Sequence, residues 1–163
     1  MVRIRAAAIS DVPAILALIR EFAEYEKLTH LLTTSEDDLR THLFGPQPAA
    51  AAMISEFDGV VVGYAIYFRT FSTFLGRPGL YLEDVYVQAA HRRRGIGKAF
   101  MIELGKLCVQ RNYGRLEWSV LTWNAPSISF YKTLGATSLD DWMQMRMTGE
   151  SLVTLSNQRV APL

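Results

Sequence analysis

The sequence predicts a single α/β domain built on a mixed sheet with helices packed against it. Three observations lead there. A chain of 163 residues is one domain's worth and long enough to bury a sizeable core. Segments with strand-like alternation interleave with segments whose apolar residues recur at helical spacing. No internal repeat, linker or low-complexity run divides the chain. The elements read in the order strand, two helices, three strands, helix, strand, helix, strand.

Residues 2 to 8 (VRIRAAA) alternate as a half-buried strand does, and Ser10-Asp11 offers a helix start with an acid at the positive end of the dipole. Ile15, Leu18, Ile19 and Phe22 follow at i, i+3, i+4 and i+7, giving the first helix one apolar face. The pattern lapses into a loop from Lys27 to Thr34. Thr34 or Ser35 caps a second helix carrying Leu39 and Leu43, with Asp37 or Asp38 in the capping-box position; Gly45, Pro46 and Pro48 end it. The runs Ala50 to Phe57 and Val60 to Phe71 are strands joined at Asp58-Gly59, a hairpin signal because the tight turn needs positive φ. Gly76-Arg77-Pro78-Gly79 leads into a strand from Leu80 to Val87. Gly95 to Arg111 reads as a helix with Gly97, Phe100, Met101, Leu104 and Cys108 along one side. Leu116 to Leu121 is a strand, Pro126 to Leu134 a helix, and Trp142 to Met147 a last strand whose Met143, Met145 and Met147 form its buried face. The domain is expected to span residues 1–150, with 151–163 as a tail of little pattern.

Composition excludes several classes. Lys plus Arg total 17 and Asp plus Glu 16, a net charge of +1, so no global field selects nucleic acid or an acidic membrane. One cysteine permits no internal disulfide framework and no multi-cysteine zinc cluster, and it points to a reducing, cytosolic setting. No apolar run approaches the roughly 18 residues that cross a bilayer, and the N-terminus lacks a secretory h-region. His30, His42 and His91 are scattered without ligand spacing, so no metal is implied. Cys108 falls on an apolar helix face with no histidine to activate it, and is read as core.

The segment richest in chemistry is Tyr81-Leu82-Glu83-Asp84-Val85-Tyr86-Val87, followed by a loop with Arg92, Arg93, Arg94, Gly95 and Gly97 and then, at once, a helix. Amides at a helix start have no intrahelical partner, and glycines let an anion approach the chain closely, so the loop suits a pyrophosphate. A dinucleotide-binding fold needs G-x-G-x-x-G after an early strand, whereas this chain has R-x-x-G-x-G in its middle. A Walker loop is absent. The cations Arg92, Arg93, Arg94 and Lys98 lack interleaved aromatics, which argues against a nucleic-acid surface.

R-x-x-G-x-G after a strand and opening a helix resembles the acetyl-CoA signature of the GCN5-related N-acetyltransferases (GNAT). A second block, Trp123-Asn124-Ala125-Pro126-Ser127-Ile128-Ser129-Phe130-Tyr131-Lys132-Thr133-Leu134-Gly135, is similar to that superfamily's second cofactor motif. Tyr25-Glu26, Tyr81-Leu82-Glu83-Asp84 and Trp123-Asn124 with Pro126-Ser127 further resemble the diamine (spermidine/spermine) N-acetyltransferases. The resemblance covers about residues 3 to 147. It implies a mostly antiparallel sheet splayed between its two central strands to hold acetyl-CoA, a small-molecule amine as acceptor, and a homodimer with acceptor sites near the subunit boundary. Between its first two helices the chain has no acid from Lys27 to Leu32, where mammalian relatives are acidic, which favours short diamines or thialysine-like amino acids over long polyamines.

Aminolysis of a thioester needs a neutral amine, a place for the oxyanion and a proton for the thiolate. An alkylamine of pKa about 10.4 is almost wholly protonated at neutral pH. The resemblance places Glu83 at the acceptor-facing end of the central strand, where it takes the amine proton directly or through a water. Asp84 alternates to the other face, for structure or substrate orientation. Tyr131 protonates the departing thiolate of CoA. The resemblance also places the backbone of Val85, Tyr86 and Val87 along the pantetheine arm and the amides from Arg92 through Arg93, Arg94, Gly95, Ile96 and Gly97 to Lys98 around the pyrophosphate. Asn124 is a helix cap, a CoA contact or both, with Ser127 beside it. For the cationic acceptor the candidates are Tyr25, Glu26, Glu83, Glu117 and Trp118, with Asp140 and Asp141 more simply solvated. Two rival readings are acetylation of a protein N-terminus or lysine, and a non-catalytic acyl-CoA-binding module, for which Glu83 and Tyr131 would be superfluous.

Overall fold

The computed structural model describes residues 2–159, and the chain divides after Ser119 into two compact units. The first carries a five-stranded sheet in the order β1 (Val2–Ala6), β2 (Ala51–Phe57), β3 (Val60–Ser72), β4 (Arg77–Val87) and β5 (Leu116–Trp118). Neighbours are antiparallel from β1 to β4, and β5 joins β4 in parallel. The β2–β3 hairpin turns on Asp58 and Gly59, both at positive φ (51° and 85°), as the dipeptide demands.

Helices α1 (Val12–Glu26) and α2 (Glu36–Phe44) pack on one face of this sheet. Val12, Ile15, Leu16, Leu18 and Ile19 of α1 and Leu39 and Leu43 of α2 join Ile54, Tyr64, Ile66 and Tyr86 in one core cluster. Ser35 is the N-cap of α2, accepting the Asp38 N–H while Asp38 accepts the Ser35 N–H, so the capping box falls on the second of each predicted pair. Helix α3 (Ile96–Gln110) buries Ile96, Phe100, Met101, Leu104 and Cys108. Gly63 of β3 lets α3 approach: a Cβ there would stand 2.7 Å from the Tyr86 carbonyl oxygen and 3.4 Å from the Phe100 ring.

Two strand boundaries differ from expectation by three residues, the largest such differences. β4 starts at Arg77 instead of Leu80, taking in Pro78 and Gly79. The glycine is required because a Cβ at position 79 would lie 2.8 Å from Thr70 Oγ1 and 3.1 Å from the Arg115 side chain. β5 stops at Trp118 instead of Leu121, because pairing with β4 ends at Leu82.

The second unit contains α4 (Ala125–Thr133) and α5 (Glu150–Ser156). The strand expected over Trp142–Met147 is not formed: these residues have no regular structure, and Met143 and Met145 are 83% and 82% exposed. Alternation describes the two sides of a ribbon, but a strand also needs a neighbour to bond, and here none pairs. The stretch read as a patternless tail begins instead with α5, which crosses the expected boundary at residue 150; residues 160–163 lie outside the described part.

Candidate active site

The site is organised by an irregularity in β4. Across β3, Ile66 pairs with Asp84 and Tyr67 with Leu82, which leaves Glu83 as the extra residue of a bulge. One extra residue reverses which edge each amide faces. Before the bulge, the Leu80 N–H bonds the Arg115 carbonyl on the β5 side; after it, the Gln88 N–H, at the same parity, bonds the Val62 carbonyl on the β3 side. The amides of Val85 and Val87 therefore point away from β3, along the length of β4 where β5 no longer pairs. This is the splay that the resemblance implies, and it leaves an unpaired backbone edge able to bond an extended polar ligand.

The loop after β4 ends at the start of α3. Gly95 is its N-cap with φ +78°, and the first bond of the helical ladder is from the Ala99 N–H to the Gly95 carbonyl. The amides of Ile96, Gly97 and Lys98 precede that ladder and point out along the helix axis, at its positive end. This donor set fits a pyrophosphate. The Arg92 amide is differently employed, donating to Ala89 within a 3-10 turn, Ala89–His91. Its guanidinium turns back to the protein, bonding the Val87 carbonyl at 3.0 Å and lying 4.5 Å and 5.4 Å from the Tyr25 and Tyr86 ring centroids. Arg94 stacks on Phe57 at 4.8 Å. Arg93 and Lys98 are exposed.

The acids divide sharply. Asp84 is the perturbed one: burial, then the charges of Glu83 and Glu26, push its carboxyl up to about 7. Burial also raises Glu26, at the C-terminal end of α1. Glu83 itself is exposed. Glu117, by contrast, is held by Arg115 at 2.7 Å, so its charge is already compensated. Trp118, the last residue of β5, sits half-buried opposite Leu82. Among the described residues no group of three His, Cys, Asp or Glu is placed to hold a metal ion.

In the second unit, Asn124 is buried and caps α4, its Oδ1 accepting the Ser127 N–H at 3.3 Å. Tyr131 is half-buried near the end of α4, its ring centroid 5.2 Å from that of Phe130.

The sequence reading did not single out two residues beside these groups. Tyr64 sits on β3 with its ring fully buried, and its hydroxyl makes no hydrogen bond of regular length and angle. The charge acting on it most strongly is that of Asp84. Glu21 of α1 accepts bonds from the Tyr86 hydroxyl (3.3 Å) and Gln88 Nε2 (2.8 Å), fixing the end of β4 to α1. The available signal for Tyr64 was a lone phenol within the apolar run Val60–Ile66, since a buried hydroxyl calls for a partner.

Comparison with known proteins agrees with this geometry. Residues 13–136 match the acetyltransferase (GNAT) family. The chain is 35% identical over 167 residues to thialysine N-epsilon-acetyltransferase of Mus musculus, covering 96% of this chain and 98% of the relative. To L-ornithine N5-acetyltransferase of Arabidopsis thaliana it is 29% identical over 203 residues, covering 97% and 89%. Among solved structures, an integron cassette protein from the V. cholerae mobile metagenome superposes with a TM-score of 0.81 at 24% identity, covering 96% and 98%. With the splayed strand, the glycine-capped helix and the match over most of its length, the chain belongs to the acetyltransferase (GNAT) family and is an N-acetyltransferase.

Proposed function

We propose that this chain transfers an acetyl group from acetyl-CoA to the side-chain amine of a small amino acid or diamine, of the thialysine or ornithine kind. The observation that carries this reading is the buried Asp84 carboxyl, with Glu83 and Glu26 acting on it, beside the unpaired end of β4. Such a set gains from an ammonium, whose charge offsets the burial and the neighbouring acids that push Asp84 up to about 7. The names of the relatives support it, since thialysine and ornithine are both small and amine-bearing.

When bound, acetyl-CoA supplies an activated acetyl thioester. The amides of Ile96, Gly97 and Lys98, with Arg93 alongside, would hold its diphosphate, and the Val85 and Val87 amides would bond along its pantetheine arm and at the thioester oxygen. Glu83 and Asp84 act as a coupled pair: Glu83 takes the amine proton, directly or through a water, and Asp84 retains it at neutral pH. Tyr131 gives its phenol proton to the departing thiolate, and Tyr25, Glu26 and Trp118 border the acceptor. The lone buried Cys108 is consistent with direct transfer and with a cytosolic setting. The exposed Trp142, Met143 and Met145 support self-association into a homodimer.

The test is thiol release from acetyl-CoA across thialysine, ornithine, putrescine, spermidine, spermine and a peptide panel. Thialysine or ornithine should exceed spermine in kcat/KM by about ten-fold or more. Turnover confined to peptides would overturn the reading. Tyr131→Phe should lower kcat by about 10- to 10⁴-fold with acetyl-CoA binding retained.

A further inference from the structure

The acidic set raises a question that the reaction alone does not answer: what orients Asp84. A carboxyl that must hold a proton for part of each cycle needs a fixed geometry in both states. The elements around it present few polar groups. From α1 come Glu26 and, bonded to the neighbouring Tyr86 hydroxyl, Glu21. From β4 itself comes Glu83, with Tyr86 two residues along. The loop guanidinium of Arg92 lies over Tyr86 and Tyr25 and bonds Val87. From β3 comes the Tyr64 hydroxyl. Tyr64 pairs with Tyr86, and Ile66 with Asp84, so Tyr64 and Asp84 are diagonal neighbours on one face of the sheet.

The Tyr64 hydroxyl is costly where it stands. It is fully buried with no regular hydrogen bond, and an unmade bond at such a site costs about 1–3 kcal/mol. The ring alone would serve packing, which phenylalanine would do without that penalty. The charged groups named here are acids or are directed elsewhere, and Tyr64 is a neutral donor on the same face as Asp84.

Resting on the function proposed above, we infer that Tyr64 is the positioning residue of Asp84, its O–H donating to the carboxylate to orient it when ionised and relaxing when the carboxyl takes up the amine proton. The proton moves from the ammonium nitrogen to the carboxylate pair and then to water, and the phenol keeps its own throughout. A donor that favours the ionised carboxylate lowers its proton affinity, which is the direction in which Tyr64 acts on Asp84.

Tyr64→Phe tests this in the full chain, because it keeps the ring and removes only the donor. Two readouts are needed: the titration midpoint of the Asp84 carboxyl by carbon-13 NMR, assigned with Asp84→Asn, and the acid limb of kcat/KM. Tyr64→Phe should raise the Asp84 proton affinity by about ten-fold. At pH 6 kcat/KM should fall by a similar factor, while at pH 9 it stays within about two-fold of wild type. An unchanged Asp84 midpoint overturns the inference, as does an equal loss of activity at every pH, which would mark a packing role. A shifted midpoint with an unmoved acid limb supports the Tyr64–Asp84 pair and overturns the base assignment of the proposed function instead.

Discussion

Asp84 sits where burial and two neighbouring carboxylates all oppose its ionisation, with its titration pushed up to about 7. A raised acid is disfavoured as an anion in the fold, so it lowers stability progressively as pH rises from its unfolded value of about 3.9 to about 7. Above pH 7 the whole penalty is present, and that is also where the carboxylate can accept a proton. Asp84→Asn should therefore raise Tm at pH 8, lose that advantage by about pH 4, and lower kcat/KM by about 10²-fold or more at pH 8. Thermal scans at the two pH values beside a thiol-release assay check both halves. The Glu83-Asp84 dipeptide was visible in the sequence, but the bulge that makes Glu83 the extra residue was not. Strict alternation puts neighbours on opposite faces, whereas a bulge suspends that rule at Glu83.

At the scale of the element, β4 and α3 are the parts most fully legible beforehand. The strand, glycine loop and helix follow one another in the chain, and each is set by local chemistry. Gly95 is a case in point: its φ of +78° is open to glycine and strained for other residues, although a Cβ would meet nothing there. Gly95→Ala should thus cost about 1 kcal/mol in urea unfolding and raise KM for acetyl-CoA several-fold by displacing the Ile96–Lys98 amides; unchanged values of both would show that the loop tolerates a right-handed conformation. Elements that depend on a distant neighbour were less legible. β5 ends where β4 bulges away, and the Trp142–Met147 alternation finds no strand to pair with.

For the whole molecule, the first-to-last order of the sheet rests on β1, which ties the N-terminus to β2. Arg5 makes paired bonds to Asp11 (2.7 Å and 2.9 Å) and reaches Glu56 of β2 at 2.9 Å. The Arg5 guanidinium holds the buried Asp11 carboxyl below the usual carboxylate range, despite desolvation that acts the other way. A lowered acid stabilises the fold above its unfolded pKa of about 3.9, and that contribution is lost as pH falls through its folded value. Arg5→Ala should cost about 2–3 kcal/mol at pH 7 by urea denaturation, with the difference narrowing as pH falls below the unfolded value of about 3.9. Asp11 and Asp84 pull in opposite directions, so the two together place maximal stability near pH 4, with a decline from there to about pH 7 as the Asp84 penalty grows.

The sequence by itself determined the α/β class, nearly all the elements, the R-x-x-G-x-G loop and the family, because helix periodicity, capping and turn residues act over a few neighbouring positions. Only the tertiary structure decided that Arg92 folds back onto Tyr25 and that Tyr64 lies diagonal to Asp84 across the sheet. These are contacts between residues far apart in the chain, fixed by strand register and burial, and no local pattern encodes either.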